Sequence, residues 1–570
     1  MARGLRKDLT SYGDPDFSLF LRKAFIKAMG YSDDALDRSI VGITNTYSDY
    51  NPCHGNVPDL IEAVKRGVML AGAMPMVFPT ISLHESFAHP TSMYLRNLMA
   101  METEEMIRAQ PMDSVVLIGG CDKTIPAQIM AAASVDLPAI VLPVGPMLTG
   151  QHRGEVLGAC TDCRRFWAKR RAGEIDEAEI EQINGRLVPS VGTCGVMGTA
   201  STMACLTEAM GLSLPLTAAV PATHADRRRL AEATGRRAAE MAATGGPRPS
   251  EILTAKALRN AAAVLHAIGG SSNALVHLAA IAGRVRQPLD YDAFDRLGRE
   301  VPVLVNLKPS GAHYMQHFHD AGGLPRLLKE IAGSLATDAP TVGGGTIADA
   351  IAAAEEVPGQ DAIRPLANPV SNEGALAILR GNLAPRGAVI KQSAASKSLM
   401  QHTGRAVVFE STEDLTRRID DPSLDVTADD VLVLRNTGPK GAPGMPEAGS
   451  LPIPKKLLKQ GVKDMVRLSD ARMSGTAFGT IVLHITPESA VGGPLALVRN
   501  GDRIRLDVPE RRIELLVSDA ELHSRAAAIA ARPPAPEPAR GYARLFQQHV
   551  TQADDGCDFD FLIERVRGAK

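Results

Sequence analysis

The sequence predicts an α/β protein in two parts: residues 1–364 as a parallel-sheet domain with helices on both faces, and residues 365–570 as a β-rich domain. Three observations carry this. Short apolar runs, each followed by a Gly- or Pro-marked polar loop and then by helical periodicity, recur between Ser39 and Met210. Beyond Arg364 the texture changes to short β-branched runs separated by Gly and Pro turns. A chain of 570 residues also exceeds one ordinary core.

Residues 39–43 read as the first strand, followed by the loop Asn51-Pro52-Cys53-His54-Gly55-Asn56 and a helix through Leu60, Ile61, Val64 and Val68. Residues 75–78 repeat the pattern ahead of His84-Glu85-Ser86-Phe87-Ala88-His89-Pro90. The third unit is 115–118, the loop Gly119-Gly120-Cys121-Asp122-Lys123-Thr124 and a helix at 129–133, with 138–142 as its next strand. A fourth is read from the strand 187–191, the loop Gly192-Thr193-Cys194-Gly195 and a helix over 197–210. Residues 225–356 are helix-rich, with Gly269-Gly270-Ser271-Ser272-Asn273 capping the helix 274–282 and a further strand at 301–305. Gly343-Gly344-Gly345-Thr346 lacks the Gly-Lys-Ser/Thr ending of a phosphate loop and reads as a turn. In the second part, 388–391, 406–409, 431–434, 481–484 and 512–517 read as strands, and Asn500-Gly501 as a hairpin turn between two more. Pro533-Pro534-Ala535-Pro536-Glu537-Pro538 reads as a stiff connector to a short tail.

A net charge of -2 gives no electrostatic footprint for nucleic acid or an anionic membrane, so a small-molecule partner is expected. The N-terminus lacks the apolar core of a signal peptide, and no run of about eighteen apolar residues occurs, so a cytoplasmic location is expected. Seven cysteines in so long a chain are too sparse and odd in number for a secreted disulfide framework.

Cys53, Cys121 and Cys194 each lie in a loop at the apparent end of a strand, and in a parallel sheet such loops converge on one edge. They are either ligands of a soft metal or iron-sulfur cluster, or three buried cysteines. Glu85, Asp122 and Glu447 offer hard oxygen ligands suited to Mg²⁺. Lys123 beside them must be neutral, paired or modified, and carbamylation would turn its amine into another oxygen ligand. Ser474, in Ser469-Asp470-Ala471-Arg472-Met473-Ser474-Gly475-Thr476, is a base only if a metal, dipole or cation holds its alkoxide; otherwise it is a turn residue. His84 and Thr476 are candidate substrate contacts. Cys160 and Cys163 have redox spacing but open no clear βαβ unit.

Taken in order, Asn51-Pro52-Cys53, Gly120-Cys121-Asp122-Lys123-Thr124, Gly192-Thr193-Cys194-Gly195, Gly270-Ser271-Ser272-Asn273 and Arg472-Met473-Ser474-Gly475 resemble the dihydroxyacid and sugar-acid dehydratase family. The loop from His84 to Pro90, the stretch Cys160-Thr161-Asp162-Cys163-Arg164-Arg165 and the tail through Cys557 are similar to its pentonate and hexonate branch, the L-arabinonate type in particular. The branched-chain biosynthetic enzyme usually has Asn where this chain has His54, and many relatives have Gly where it has Ala471.

The resemblance implies a barrel-like, swivelling C-terminal domain and a homodimer or homotetramer. It implies a 2Fe-2S cluster on Cys53, Cys121 and Cys194, and Mg²⁺ on Glu85, Asp122, carbamylated Lys123 and Glu447. Ser474 would be the base. The activity implied is loss of water from a C2,C3-dihydroxy aldonate, such as L-arabinonate, D-fuconate, D-xylonate or D-galactonate, to a 2-keto-3-deoxy acid: Mg²⁺ would hold the carboxylate and C2 hydroxyl, and the cluster iron would take the leaving C3 hydroxyl. The alternatives are dihydroxyacid dehydratase and, in a different class, an iron-sulfur electron carrier or redox sensor.

Overall fold

The computed structural model describes residues 3–9, 12–531 and 537–563. After α1 (Pro15–Lys27), strand and helix alternate as β1 (Ile40–Asn45), α2 (Val57–Leu70), β2 (Met74–Pro79), α3 (Ser92–Ala109), β3 (Ser114–Gly119), α4 (Thr124–Val135) and β4 (Ala139–Pro143). The four strands form one parallel sheet in the order β2-β1-β3-β4. Ile43, Val116, Leu117 and Ile140 are buried, as a sheet covered on both faces requires. Right-handed crossovers put α2 on one face and α3 and α4 on the other.

The hairpin of β5 (Gly150–His152) and β6 (Glu155–Leu157) leads to α5 (Thr161–Ala172), α6 (Glu177–Leu187), α7 (Thr199–Ala209) and α8 (Ala225–Thr244). Helix α8 lies on α2 so closely that a Cβ on Gly67 would come 2.0 Å from the Glu232 carbonyl oxygen. The short α9 (Pro249–Ile252), α10 (Ala255–Ala267) and α11 (Asn273–Arg284) follow, and α11 packs beside α4 and α7. Because β1, β2 and β3 are parallel, the loops 46–56, 80–91 and 120–123 all leave one edge of the sheet.

The second domain is a closed eight-stranded barrel. Its strands are β7 (Ala377–Gly381), β8 (Ala384–Ile390), β9 (Gln401–Phe409), β10 (Val431–Leu434), β11 (Arg467–Ser469), β12 (Ile481–Thr486), β13 (Arg503–Asp507) and β14 (Arg512–Leu515), in the order β10-β11-β12-β8-β7-β14-β13-β9. The period of two divides β10 between two cores: Val431 and Val433 join Leu379, Ile390 and Leu468 in one cluster, whereas Leu432 and Leu434 pack with Phe409 and Leu415 in another. Among the described residues no helix is long and apolar enough to cross a membrane.

Three expected strands are corrected. Residues 187–191 form none, because α6 runs to Leu187 and Pro189 then removes a backbone donor. Residues 301–305 make only the isolated bridges Val303 to Ser371 and Val305 to Ile363, with Pro302 interrupting any ladder. Ahead of Asn500-Gly501 the chain makes a 3₁₀ turn, Pro494–Leu497, so only β13 follows as a strand. Residues 533–536 of the expected connector lie outside the described residues.

Candidate active site between the two domains

The loops after β2 and β3 carry Glu85, Asp122 and Lys123 to the sheet edge, where the barrel adds Glu447 from the 3₁₀ turn Glu447–Ser450 and Arg472 and Ser474 from the loop after β11. One ligand oxygen each from Glu85, Asp122 and Glu447 lie within 4.8 Å of one another. Lys123, at the N-cap of α4 and fully buried, donates to Asp122 and, at 3.4 Å, to Glu85. Arg472 reaches across the boundary, its Nη2 3.2 Å from Glu85 Oε2 and its Nη1 2.6 Å from Glu447 Oε1. Thr91 donates to Glu85 Oε1 at 2.5 Å, and Ser92 donates to Oε2.

These contacts separate the carboxylates electrostatically. Burial would raise Glu85, but Arg472, Lys123 and the two hydroxyls outweigh it and hold the group well below the usual carboxylate range. For Glu447 burial wins and raises the pKa, with Glu85 adding repulsion against the pull of Arg472. Arg472 is pushed up because Glu85 and Glu447 overcome its own burial. Arg472 Nε and Asn273 Oδ1 are buried without a hydrogen-bond partner among the described residues. Hard anionic oxygens that close together, with polar atoms still unmatched, suit a small dication and an oxygen-rich ligand.

The Ser474 turn is fitted against two helix starts. A Cβ on Gly475 would fall 2.5 Å from Ser271 Oγ and 2.7 Å from the Thr199 backbone nitrogen, so only glycine allows this approach to α7 and α11. Ser474 Oγ lies 2.8 Å from Thr476 Oγ1 and accepts from the Thr476 N–H at 3.4 Å. The side chain of Asn273 ties this corner to the carboxylates, donating to Thr199 Oγ1 at 3.2 Å and to Glu447 Oε1 at 3.3 Å. The starts of α7 and α11 thus lie against the turn, and helix N-termini carry positive potential.

The thiols lie at the neighbouring corner. His54 Nδ1 is 2.8 Å from the Thr46 carbonyl and donates to it, so Nε2 accepts from the Gly120 and Cys121 N–H groups, both at 3.0 Å. Burial holds this imidazole neutral, its pKa pulled down to about 4. His84 is raised, its own burial outweighed by a hydrogen bond with Cys53. Cys53 is lowered to about 6, first by its hydrogen bond with Cys121.

The dihydroxy-acid/6-phosphogluconate dehydratase N-terminal model matches residues 38–350, and the corresponding C-terminal model matches residues 361–557. The chain belongs to this dehydratase family. It is 49% identical over 556 residues to an L-arabinonate dehydratase from Rhizobium leguminosarum bv. trifolii, covering 97% of this chain and 95% of the relative. Identity to a 6-deoxy-6-sulfo-D-gluconate dehydratase from Pseudomonas putida is 48%, covering 93% and 91%. Identity to a dihydroxy-acid dehydratase from Carboxydothermus hydrogenoformans is 37%, covering 94% and 97%.

Within this dehydratase fold the expected three-thiolate set does not assemble. Among the described residues, the group of potential metal ligands gathered within 4.8 Å is Glu85, Asp122 and Glu447, with no cysteine in it. The thiols sort instead into pairs: Cys53 with Cys121, and Cys194 with Cys160 at 3.3 Å between sulfurs, Cys163 lying against Cys160. The reason is the missing fourth strand. Cys194 arrives on an irregular loop after α6, where its hydrogen-bonding partner is Cys160 at the start of α5, and Cys53 and Cys121 act on it only through their charge. The expectation of a 2Fe-2S cluster on Cys53, Cys121 and Cys194 is therefore corrected to a carboxylate site of Mg²⁺ type, and the electron-carrier reading falls with it.

Sequence reasoning assigned no role to Arg472, His54, Thr91, Ser92, Thr199 or Asn273. Arg472, Asn273 and His54 stood inside quoted stretches, where a buried-site role could have been sought.

Proposed function

We infer that the protein is a sugar-acid hydro-lyase that removes water from a C2,C3-dihydroxy aldonate, L-arabinonate or a relative such as D-fuconate, D-xylonate or D-galactonate, and yields a 2-keto-3-deoxy acid. The observation that carries this is the meeting of Glu85 and Asp122 with Glu447 across the domain boundary, tied through Asn273 to the Ser474 turn. Sequence likeness favours a sugar acid, since the relatives named for sugar acids stand at 49% and 48% identity and the dihydroxy-acid enzyme at 37%. A polyol tail also needs polar partners, and Arg472 Nε, Asn273 Oδ1 and Ser272 Oγ are buried and unmatched.

Glu85, Asp122 and Glu447 would hold Mg²⁺, with Lys123 as a carbamate adding another oxygen. When bound, the ion supplies Lewis acidity to the substrate's carboxylate and C2 hydroxyl. Ser474 takes the C2 proton, with Thr476 supporting its oxygen. That proton and the hydroxide lost from C3 together make the released water, and the enol left behind tautomerises to the keto acid. His84 is a substrate contact at the edge of the site.

Residues 1–364 and 365–570 are proposed as the two domains, and the location as cytoplasmic. A homodimer or homotetramer is supported by the outward aromatic face of α1, where Phe20 and Phe25 are 66% and 72% exposed.

The test is purified protein assayed with arabinonate, fuconate, xylonate, galactonate and dihydroxyisovalerate, before and after chelation. Turnover of at least one aldonate, lost on chelation and restored by Mg²⁺, is expected, together with a carbamate carbon signal after growth on ¹³C-bicarbonate. Turnover confined to dihydroxyisovalerate overturns the substrate assignment.

A further inference from the structure

Lys391 is a buried amine for which the reaction above has no use. It follows directly on β8, is fully buried, and no carboxylate among the described residues pairs with it. Among the described residues the one hydrogen bond of its amine runs from Nζ to the Gly475 carbonyl oxygen, at 3.2 Å. Burial alone pulls its pKa down to about 7. Such an amine is a cost to the fold, because a buried charged or polar group without full partners loses its hydration for little return.

The carbonyl it holds belongs to the peptide unit that supports the proposed base. The N–H on the other side of that amide is the Thr476 N–H, which donates to Ser474 Oγ at 3.4 Å. In a trans amide the C=O and N–H point in opposite directions, so the amine and the serine oxygen lie at the two ends of one polarisable unit. A donor pulling on the carbonyl oxygen makes the N–H a stronger donor, the cooperative effect of hydrogen bonds in series. Sliding the turn away is blocked on the far side, where Gly475 already touches Ser271 and Thr199.

We propose that Lys391 is a positioning residue for the dehydration: through the Gly475–Thr476 peptide it fixes and polarises the N–H that steadies Ser474 as the alkoxide that then takes the C2 proton. The inference rests on Ser474 being the base of a sugar-acid dehydratase. Lys391 touches neither substrate nor metal ligand and acts only through the turn.

The decisive comparison is Lys391→Met and Lys391→Gln in the full-length, Mg²⁺-loaded enzyme, with kcat, KM and the melting temperature measured on the best aldonate. Met keeps the length and removes both donor and charge, whereas Gln keeps a donor. The expected result is a kcat reduced about 10- to 100-fold in Met, less than the loss of a direct oxyanion donor, and an intermediate kcat in Gln. KM should stay within about twofold of wild type and the melting temperature should hold or rise, since an unpaired buried amine has been removed. A wild-type kcat in either folded variant overturns the proposal. So does a loss of kcat that tracks a falling melting temperature in both, which would make Lys391 merely structural. Absence of turnover by the wild-type protein on every aldonate defeats the functional reading instead, and so is told apart from failure of Lys391.

Discussion

Two of the arginines that join the barrel to the α/β domain have different settings. Arg511 runs from the barrel to Asp295, with Nε 2.9 Å from Oδ1 and 3.2 Å from Oδ2. The same carboxylate also accepts from the Ile378 N–H at 3.0 Å and from Arg299 at 3.2 Å. Arg511 also reaches the exposed Glu373 at 2.8 Å, whereas the two carboxylates that Arg472 faces lie together with a third, Asp122, within 4.8 Å, and Arg472 leaves its own Nε unmatched. At the first contact three donors meet the one carboxylate of Asp295. At the second, negative charge exceeds what one guanidinium can satisfy, and Lys123 only partly makes up the difference. A domain contact that is left electrostatically short is the one able to take a cation and a substrate.

The sharpest way to break this contrast is at the turn beside Arg472. Ser474→Ala should lower kcat by about 10²- to 10⁴-fold, the contribution of a positioned general base, with little change in melting temperature. Retention of more than a tenth of wild-type kcat would remove Ser474 as the base and leave the inner contact without its chemistry.

Next in size is the inner arginine itself. Arg472→Met takes the shared guanidinium from Glu85 and Glu447 in a part-buried site, leaving Glu447 with Asn273 and Glu85 with Thr91, Ser92 and Lys123, and breaking such a pair costs up to about 3–5 kcal/mol. Denaturant unfolding should show that loss, and millimolar Mg²⁺ should recover part of it, because a dication replaces the missing positive charge. Unchanged stability, or a loss that Mg²⁺ leaves untouched, would mean that the inner contact is as self-sufficient as the outer one.

How much of this contrast could be read beforehand depends on distance along the chain. β1 to β4 were legible because a buried parallel strand announces itself as a short Val- and Ile-rich run, and Asp122 and Lys123 because they stand in the loop that such a run must end in. The same apolar signal misled at 301–305 and 187–191, where a proline withholds the donor that a ladder needs. Cys194, expected at a strand end, sits instead on an irregular loop against Cys160. Strand β11 was missed because three residues, Arg467–Ser469, carry too little pattern to register. Arg472 was visible in its motif but its partner Glu85 lies 387 positions earlier, and no local spacing links the two. His54 likewise could be noted only as a substitution; its hold on the Gly120 and Cys121 N–H groups exists only once the β1 and β3 loops are side by side.

The smallest effect is expected at the outer contact, and it is the control that gives the comparison its meaning. Arg511→Met removes one of three donors from Asp295, a carboxylate whose side chain is 12% exposed and which keeps the Ile378 N–H and Arg299. A carboxylate that keeps two of its three donors loses about 1–2 kcal/mol, less than two neighbouring carboxylates that lose the guanidinium they share. Unfolding should show that modest loss, with no recovery by Mg²⁺ and with kcat and KM within about twofold of wild type. If Arg511→Met instead lowered kcat as far as Arg472→Met does, the two contacts would act as one rigid hinge, and the charge imbalance at Arg472 would no longer explain why the reaction takes place there.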